Sequence, residues 1–251
     1  MSQPIPRFEE LAFHETPLGD LSLRRRTILS LDNQEVYEII LGDAYLMSSL
    51  FTEVEKALSN LGLASIAESF PEGEKLDVVV GGLGLGYTAR EALLSDRVGS
   101  LFVVDYLQPV IDWHREGLVP LGEGLSADSR CQFVHGDFFK LALTPQTRPT
   151  FDPKTAGKRF HAVLLDIDHS PANLLHERHN SFYEADGLQK LAAKLHPGGV
   201  FGLWSDDPPE ETFMAALEEV FESCESHVVS FYNPLQDKDS KSTVYLAKVA
   251  D

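Results

Sequence analysis

The stretch DVVVGGLGLGYTARE, residues 77–91, decides the fold class of this chain of 251 residues. An apolar run ends in three alternating glycines, Gly82, Gly84 and Gly86, and a helix-forming segment follows. A buried strand that turns directly into a helix brings backbone N–H groups and a helix amino terminus close to a ligand. The stretch therefore predicts a ligand-binding glycine turn, although tight packing between a strand and a helix also selects glycine.

The alternation of strand and helix continues to the carboxyl end of the chain. Further strands are predicted at 100–105, 131–135, 160–166, 199–204, 227–232 and 242–249, and helices at 86–95, 108–116, 184–195 and 209–222. Continuous apolar strands separated by helices indicate a parallel sheet that is covered on both faces. A short polar loop joins the last two strands. The fold class is therefore α/β, Rossmann-like and mostly parallel, with a carboxyl-terminal antiparallel strand.

The amino-terminal part of the chain differs from this pattern. Residues 11–46 contain short β-prone runs separated by turn residues, which predict a small β-hairpin or meander. Thr52 and Glu55 have the spacing of a capping box and indicate the start of a helix whose apolar stripe packs on the following domain. We therefore predict an amino-terminal β-rich domain with one helix, 1–70, and a cofactor-binding domain, 71–251.

Composition restricts the classes of function. With 21 basic and 39 acidic residues, the formal net charge of −18 disfavours nucleic acid and anionic membranes as partners. No apolar stretch reaches the ~18 residues of a membrane span, and the amino terminus lacks a hydrophobic targeting segment. Cys131 in a strand-like stretch and Cys224 in a helix-like stretch are too few for a disulfide framework. These features predict a soluble, cytoplasmic protein.

Acidic residues follow the next two predicted strands. Asp105 ends its strand 23 residues after Gly82, close to the spacing of an acid that binds ribose hydroxyls. Asp137 ends the strand after that, where a carboxylate accepts from an adenine amine and the neighbouring Phe138 flanks the ring. Because the carboxyl ends of parallel strands meet at one edge of a sheet, these residues predict an adenosine-bearing ligand.

The sequence lacks the features that a dinucleotide ligand would require. A dinucleotide needs a pyrophosphate cradle and usually a second nucleotide-binding half, and the sequence has no second glycine-rich turn after a strand. A mononucleoside cofactor fits better. The antiparallel strand pair at the carboxyl end is typical of the sheet used by adenosylmethionine-dependent transferases.

The chain resembles the spermidine synthase (polyamine aminopropyltransferase) family over about residues 70–205. The segments that carry the resemblance are 79–91, 103–111, 134–139, 162–175 and 180–201. The resemblance implies transfer of an aminopropyl group from decarboxylated adenosylmethionine to a small amine, which leaves methylthioadenosine. It also implies that the glycine turn lies along the nucleoside, Asp105 binds the ribose, Asp137 faces the adenine, and Asp166 holds and deprotonates the attacking amine.

The acidic loop after the fourth strand of this domain suits that chemistry. A protonated amine has no lone pair, so it must lose a proton to a carboxylate placed beside the electrophilic carbon. Asp166 and Asp168 are two residues apart, and in an extended segment both would point to one side and share one cationic group. These two are the candidate catalytic residues, although Asp168 also fits the cap of the following turn.

Two departures from the family pattern keep other functions open. Leu85 stands where the family places an aspartate that contacts the aminopropyl ammonium, and the loop 166–172 is shorter than usual and lacks glycine. Since Leu85 provides no carboxylate, we expect weak discrimination between intact and decarboxylated adenosylmethionine, and a shift to the decarboxylated form in Leu85→Asp. Methyl transfer from intact adenosylmethionine to a small cationic substrate, or a non-catalytic nucleoside- or polyamine-binding homologue, are the alternatives.

Four further features carry their own expectations. His169, His176 and His179 lie near the two aspartates, but their spacing matches no zinc or iron signature, so no metal is expected. Asp206 and Asp207 end the fifth strand and could hold a far ammonium group, although Asp207 before Pro208 also suits a helix start. The polar insert 144–160 is either a lid or an ornament. The amino-terminal β-rich segment is a candidate homodimer surface.

Overall fold

A computed structural model describes residues 7–251 of the chain. The first six residues, on which part of the prediction about the amino terminus falls, lie outside the described residues. No helix within 7–251 is long and apolar enough to cross a membrane.

A four-stranded antiparallel meander and one long helix form the amino-terminal part. The strands follow the order of the chain and are β1 (Phe8–Thr16), β2 (Gly19–Ile28), β3 (Gln34–Leu41) and β4 (Ala44–Ser48). Helix α1 (Glu53–Ser65) comes next, and Val54 and Leu58 on its buried face join the core of the larger sheet. The predicted meander and the packing of this helix are confirmed. The division into two domains at residue 70 stays a prediction.

The rest of the chain builds a seven-stranded sheet in the order β10-β11-β9-β8-β5-β6-β7. Its strands are β5 (Leu76–Gly81), β6 (Val98–Asp105), β7 (Cys131–His135), β8 (Phe160–Leu165), β9 (Leu195–Ser205), β10 (Ser223–Asn233) and β11 (Lys238–Lys248). The central pairs from β7 to β9 are parallel, whereas β11 pairs antiparallel with both β9 and β10. The predicted α/β class, with a mostly parallel sheet and an antiparallel end, is confirmed.

Helices cover both faces of this sheet. They are α2 (Tyr87–Ala92), α3 (Gln108–Arg115), α4 (Gly122–Ala127), α5 (Phe138–Leu143), α6 (Asn180–Tyr183), α7 (Ala185–Ala192) and α8 (Glu211–Val220), with 3₁₀ turns at Leu29–Leu31 and Glu177–His179. Side chains alternate along each strand, so Val78 and Val80 join one apolar layer and Val79 joins the other. Such continuous apolar strands are the reason that the sheet is buried on both faces.

Two local expectations were wrong. Cys224 lies in β10 rather than in a helix, and both thiols are free, with burial raising the pKa of Cys131 to about 12 and that of Cys224 to about 11. Helix α8 has Glu210 as its N-cap residue, so Asp207 does not start it. Asp207 instead accepts hydrogen bonds at its carbonyl oxygen from Ser205 and Thr243.

The insert 144–160 packs as part of the body of the protein. A bridge between Pro149 and Ala156 folds it back on itself, and Phe151 is fully buried with its ring stacked 5.0 Å from that of Phe138. None of its residues lines the cavity described below. This placement agrees with an ornament and not with a lid.

Candidate active site

A cavity of about 620 Å³ lies at the carboxyl ends of the parallel strands, a volume typical of small-molecule sites. Its floor comes from the seven-stranded sheet, and the opposite wall comes from the meander and α1. Six residues predicted from the sequence line it: Gly82, Gly84, Asp105, Asp137, Phe138 and Asp166. Gly86 and Asp168 are the two predicted site residues that do not.

The glycine turn connects β5 to α2 with positive φ angles of 93°, 47° and 92° at Gly82, Gly84 and Gly86. A Cβ at Gly82 would collide with the backbone oxygen of Asp166, and a Cβ at Gly84 would lie 2.6 Å from the sulfur of Met47. Glycine is required at position 86 for a different reason than predicted. A Cβ there would collide with Leu125 and His114 behind the turn. Gly86 is therefore a packing residue and does not face the cavity.

A buried histidine supports the turn from behind. His114 on α3 is fully buried, and its Nε2 lies 2.9 Å from the carbonyl oxygen of Gly84. Burial lowers the pKa of His114 to about 4, so the ring is neutral at pH 7 and Nε2–H donates to the carbonyl. This contact joins residues 30 positions apart, which is why the sequence pattern did not indicate it.

Asp105 ends β6 with its carboxylate held by the backbone. The N–H of Leu83 donates to Oδ2 at 2.9 Å and the N–H of Leu107 donates to Oδ1 at 2.8 Å. Burial raises the pKa of Asp105, and the backbone N–H groups of Leu83, Leu107 and Gly84 oppose that rise. Each carboxylate oxygen has a further lone pair, so a held Asp105 can still accept hydrogen bonds from a ligand in the cavity.

Asp137 is shared between the helix that it caps and an arginine. Its Oδ1 accepts from the N–H of Lys140 at 3.1 Å, and its Oδ2 lies 3.6 Å from a guanidinium nitrogen of Arg178. The guanidinium lies over the ring of Tyr106, 5.3 Å from its centre, and both residues line the cavity. Phe138 forms the wall beside them. Arg178 was missed because it comes from a loop distant in sequence.

Asp166 follows β8 directly and lies beside the glycine turn. Its N–H donates to the carbonyl oxygen of Gly81 at 2.8 Å, and its Oδ2 accepts from the hydroxyl of Thr88 at 2.9 Å. Burial raises the pKa of Asp166 to about 6, and the hydrogen bond from Thr88 opposes the rise. A carboxylate with a pKa near neutrality is suited to accept a proton during a reaction.

Glu55 is a second cavity carboxylate that the sequence interpretation assigned to a capping box. That assignment was wrong, because Thr52 makes no side-chain cap bond and its N–H is bound by Glu53 at 2.9 Å. Glu55 is instead only 8% exposed and lines the cavity. Burial, followed by the charge of Asp166, raises its pKa to about 8. At neutral pH the pair Glu55–Asp166 therefore carries about one negative charge.

This pair has a measurable effect on stability. The folded state holds a proton on Glu55 up to a pKa of about 8, whereas the unfolded chain releases it near 4.5, so stability falls as the pH rises between these values. We expect Glu55→Gln to remove about 3 kcal/mol of this loss between pH 5 and pH 8. Urea unfolding of both proteins at the two pH values checks this result. Parallel pH dependences would contradict it.

Asp168 is not among the residues that line the cavity and is 1% exposed. Its carboxylate accepts from the N–H of Leu175 at 2.8 Å, contacts Nδ1 of His179 at 2.9 Å, and accepts from the hydroxyl of Tyr183 at 2.9 Å. The expectation that Asp166 and Asp168 share one cationic group is wrong on this geometry. Asp168 positions the loop that follows β8.

The histidines of the same loop have separate surroundings. All three line the cavity, but only His179 is buried, and its ring stacks on that of Phe139 with 3.8 Å between centres. Within residues 7–251 no group of three or more His, Cys, Asp or Glu side chains is placed to hold a metal ion.

Leu85 does not occupy the position expected from the resemblance. Its side chain is fully buried in the apolar core, and it is not among the residues that line the cavity. Its backbone N–H lies 3.1 Å from the sulfur of Met47 on β4. The expectation that a carboxylate at position 85 would meet the cofactor is therefore wrong for this backbone.

Sequence comparisons find distant relatives of one kind. No family model matches the chain. It is 29% identical over 164 residues to polyamine aminopropyltransferase 2 of Pseudomonas aeruginosa, a match that covers 61% of this chain and 42% of the relative. It is 24% identical over 173 residues to a polyamine aminopropyltransferase of Pyrobaculum islandicum, covering 69% and 54% of the two chains. The chain thus matches about half the length of these curated relatives.

Structural comparisons find the same fold in proteins of known structure. Spermidine synthase from Thermotoga maritima superposes with a TM-score of 0.70 at 14% identity, over 95% of this chain and 72% of that one. A spermidine synthase in complex with the transition state analogue AdoDATO gives 0.68 at 13% identity, with the same coverage. Human methyltransferase-like protein 13 in complex with SAH gives 0.56 at 17% identity, over 78% and 82% of the two chains. The chain is therefore similar in sequence to polyamine aminopropyltransferases over part of their length, and it shares its fold with solved spermidine synthases and with a methyltransferase-like protein.

Proposed function

We propose that the protein is a transferase that moves an aminopropyl group from decarboxylated adenosylmethionine to a small amine. The observation that carries the proposal is Asp166, a carboxylate with a raised pKa that lines the same cavity as the glycine turn and Asp105. An acid near neutrality beside a nucleoside-sized site is what amine activation requires. The two sequence relatives are both named polyamine aminopropyltransferases.

Each strand that ends at the carboxyl edge of the sheet contributes residues with a different proposed role. Asp105 on β6 accepts the ribose hydroxyls, and the backbone of Gly82 and Gly84 lies along the nucleoside. Asp137 after β7 faces the adenine together with Phe138, and Arg178 limits the approach from the rim. Asp166 after β8 is the next group along this edge, so it lies beside the end of the nucleoside at which the transferred group is attached.

The chemistry follows from the charges of the reactants. The acceptor arrives as an ammonium ion, and Asp166 takes one proton so that the nitrogen gains a lone pair. That nitrogen forms a bond to the propyl carbon next to the sulfonium, the carbon–sulfur bond breaks, and its electron pair stays on sulfur. The products are methylthioadenosine and a secondary ammonium ion. Glu55 ionises when a second cation enters, and thereby stabilises two positive groups at the pair Glu55–Asp166.

Methyl transfer from intact adenosylmethionine is the second candidate. It is favoured by the burial of Leu85, since the cavity lacks the carboxylate with which the family holds the aminopropyl ammonium. Among the described residues that line the cavity, Glu55 on α1 is the one buried carboxylate, and its charge interacts with that of Asp166. Whether Glu55 replaces the missing aspartate decides between the two reactions.

Product analysis tests the proposal. The protein is incubated separately with decarboxylated and intact adenosylmethionine and a mixture of amines, and the nucleoside products are separated by chromatography. Methylthioadenosine from the decarboxylated compound is expected. Adenosylhomocysteine from the intact compound would overturn aminopropyl transfer in favour of methyl transfer. Neither product, with methylthioadenosine still bound, would identify a non-catalytic homologue.

The nucleoside site has its own prediction. Asp105→Ala leaves two ribose hydroxyls without an acceptor in a closed site, so we expect methylthioadenosine to bind about 10- to 100-fold more weakly, which is roughly 1–3 kcal/mol. Calorimetric titration measures this change. Since Asp105 also holds the N–H of Leu83, circular dichroism and thermal unfolding serve as controls for the fold. Unchanged affinity in a folded variant would remove Asp105 from the site.

A further inference from the structure

The order of strands separates the nucleoside half of the cavity from the acceptor half. The proposed nucleoside residues lie on β5, β6 and β7, and Asp166 on β8 is their neighbour. Beyond β8 the same edge continues through β9, β11 and β10. Strands are about 4.8 Å apart, so this half extends roughly 14 Å from Asp166 to β10. An acceptor whose nitrogen meets Asp166 therefore extends its body along these three strands.

Aromatic and aliphatic side chains form this half. Trp204 lies on β9 at the level of Asp166, because Leu203 pairs with Leu165 in the sheet. Phe231 on β10 lies further along, and its ring is 5.7 Å from that of Phe51. From the opposite wall, Val54 and the buried Ile39 face the same space. Apolar side chains therefore form most of the surface of this half, alongside the polar groups of His169 and Ser242.

Carboxylates in this half are confined to its surface. Apart from the pair Glu55–Asp166 and the nucleoside acids, the described lining residues include two acids, Glu53 and Asp206. Both are exposed to solvent. Glu53 already accepts from the N–H of Thr52 at 2.9 Å, and Asp206 accepts from the hydroxyl of Ser242 at 3.2 Å. Neither is buried among the aromatic rings where the far end of a diamine would lie.

We propose that the acceptor is a primary monoamine with an apolar body, whose nitrogen lies at Glu55–Asp166 and whose body lies against Trp204, Phe51 and Phe231. The reaction of this amine rests on the proposed function, but its binding does not. A second ammonium group would lose its water among apolar side chains without gaining a buried carboxylate. An apolar chain gains instead from every methylene that it buries there.

The test compares two amines of equal length in calorimetric titrations with methylthioadenosine present. Pentylamine and 1,4-diaminobutane differ only in that a methyl group replaces the second ammonium. We expect pentylamine to bind at least tenfold more tightly, and affinity to rise about fourfold per methylene from propylamine to hexylamine. Equal or tighter binding of the diamine would overturn the proposal, and so would the absence of binding by every amine.

Two variants locate the effect within the cavity. Phe231→Asp places a carboxylate in the apolar half and is expected to reverse the order of the two amines. Asp206→Asn is the matched control and is expected to change the affinity of either amine by less than about threefold. If Asp206→Asn weakens the diamine tenfold or more, a far ammonium binds at Asp206 and the proposal is wrong.

These outcomes remain distinct from a failure of the proposed function. If no amine yields methylthioadenosine from the decarboxylated cofactor, aminopropyl transfer is wrong. The calorimetric order of the amines still decides the nature of the acceptor half in that case, because binding requires no turnover. Conversely, methylthioadenosine formation with the diamine preferred would support the transfer and overturn the apolar acceptor.

Discussion

Asp166→Asn is expected to reduce turnover by a factor of about 10² or more while methylthioadenosine binds within about threefold of wild type. An amide has nearly the same shape as a carboxylate, so Thr88 and the glycine turn keep their places, but an amide cannot take the proton of the acceptor. Single-turnover rates with decarboxylated adenosylmethionine measure the loss, and calorimetry measures the retained affinity.

The dependence on pH identifies the proton acceptor. Because burial raises the pKa of Asp166 to about 6, the wild-type rate should increase as the pH rises through 6. This increase should be absent from the residual rate of Asp166→Asn. Asp168→Asn provides the comparison, since its carboxylate binds His179 and Tyr183 and does not itself line the cavity. We expect Asp168→Asn to lose thermal stability and to retain a higher turnover than Asp166→Asn. A rate of Asp166→Asn within a few-fold of wild type would make Asp166 structural.

Leu85→Asp is expected to lower the free energy of unfolding at pH 8 by about 3–5 kcal/mol rather than to change cofactor preference. Leu85 is fully buried in the apolar core, so its replacement removes packing and leaves a charge without a partner. Urea unfolding measures the loss. The effect contrasts with the result expected from the family pattern, in which a carboxylate at this position meets the aminopropyl ammonium.

Leu85→Asn separates charge from packing in this experiment. It has the shape of the aspartate variant without its charge, so the two variants should be nearly equal in stability at pH 4. A buried aspartate has a raised pKa in the folded state, and stability is therefore lost as the pH rises above its unfolded value of about 3.9. The difference in the free energy of unfolding between the two variants should increase from pH 4 to pH 8. Equal stability at pH 8, with tighter binding of decarboxylated adenosylmethionine by Leu85→Asp, would show that position 85 reaches the cavity.

The fold was predictable because its signals are local and repeated. Valines on both faces of β5 indicate a strand buried on both sides, and the glycines after it indicate the turn to α2. Helices α4, α5 and α6 were not predicted, since a helix such as α5 has only six residues and depends on the side chain of Asp137 as its cap. The bounds of long strands were also underestimated at β9 and β10, where the ends carry polar residues.

Site residues could be predicted from the sequence only where their position at the end of a strand places them in the site. Gly82, Asp105, Asp137 and Asp166 all follow strands of one parallel sheet, so topology alone brings them to one edge. Asp168 was misassigned because the alternation of side chains holds within a strand, and β8 ends at Leu165.

Glu55 is a site residue whose role could not be predicted from the local sequence. Its spacing from Thr52 satisfies a local rule, yet the packing of α1 against the large sheet turns its carboxylate toward Asp166, 111 positions later in the chain. His114 and Arg178 likewise obtain their roles from contacts across the fold. Such roles depend on tertiary structure, for which no local pattern exists.

The two walls of the cavity come from separate stretches of chain. Mutations can therefore change the preference for the acceptor without changing the binding of the cofactor. Substitutions within residues 34–54 change the surface that faces the acceptor without altering Glu55 or any side chain on the strand ends β5, β6 and β7. The one exception is Met47, whose sulfur touches the glycine turn and so connects the two halves. A lineage that keeps Met47 and varies its neighbours can therefore evolve toward new amines while its use of the nucleoside stays constant.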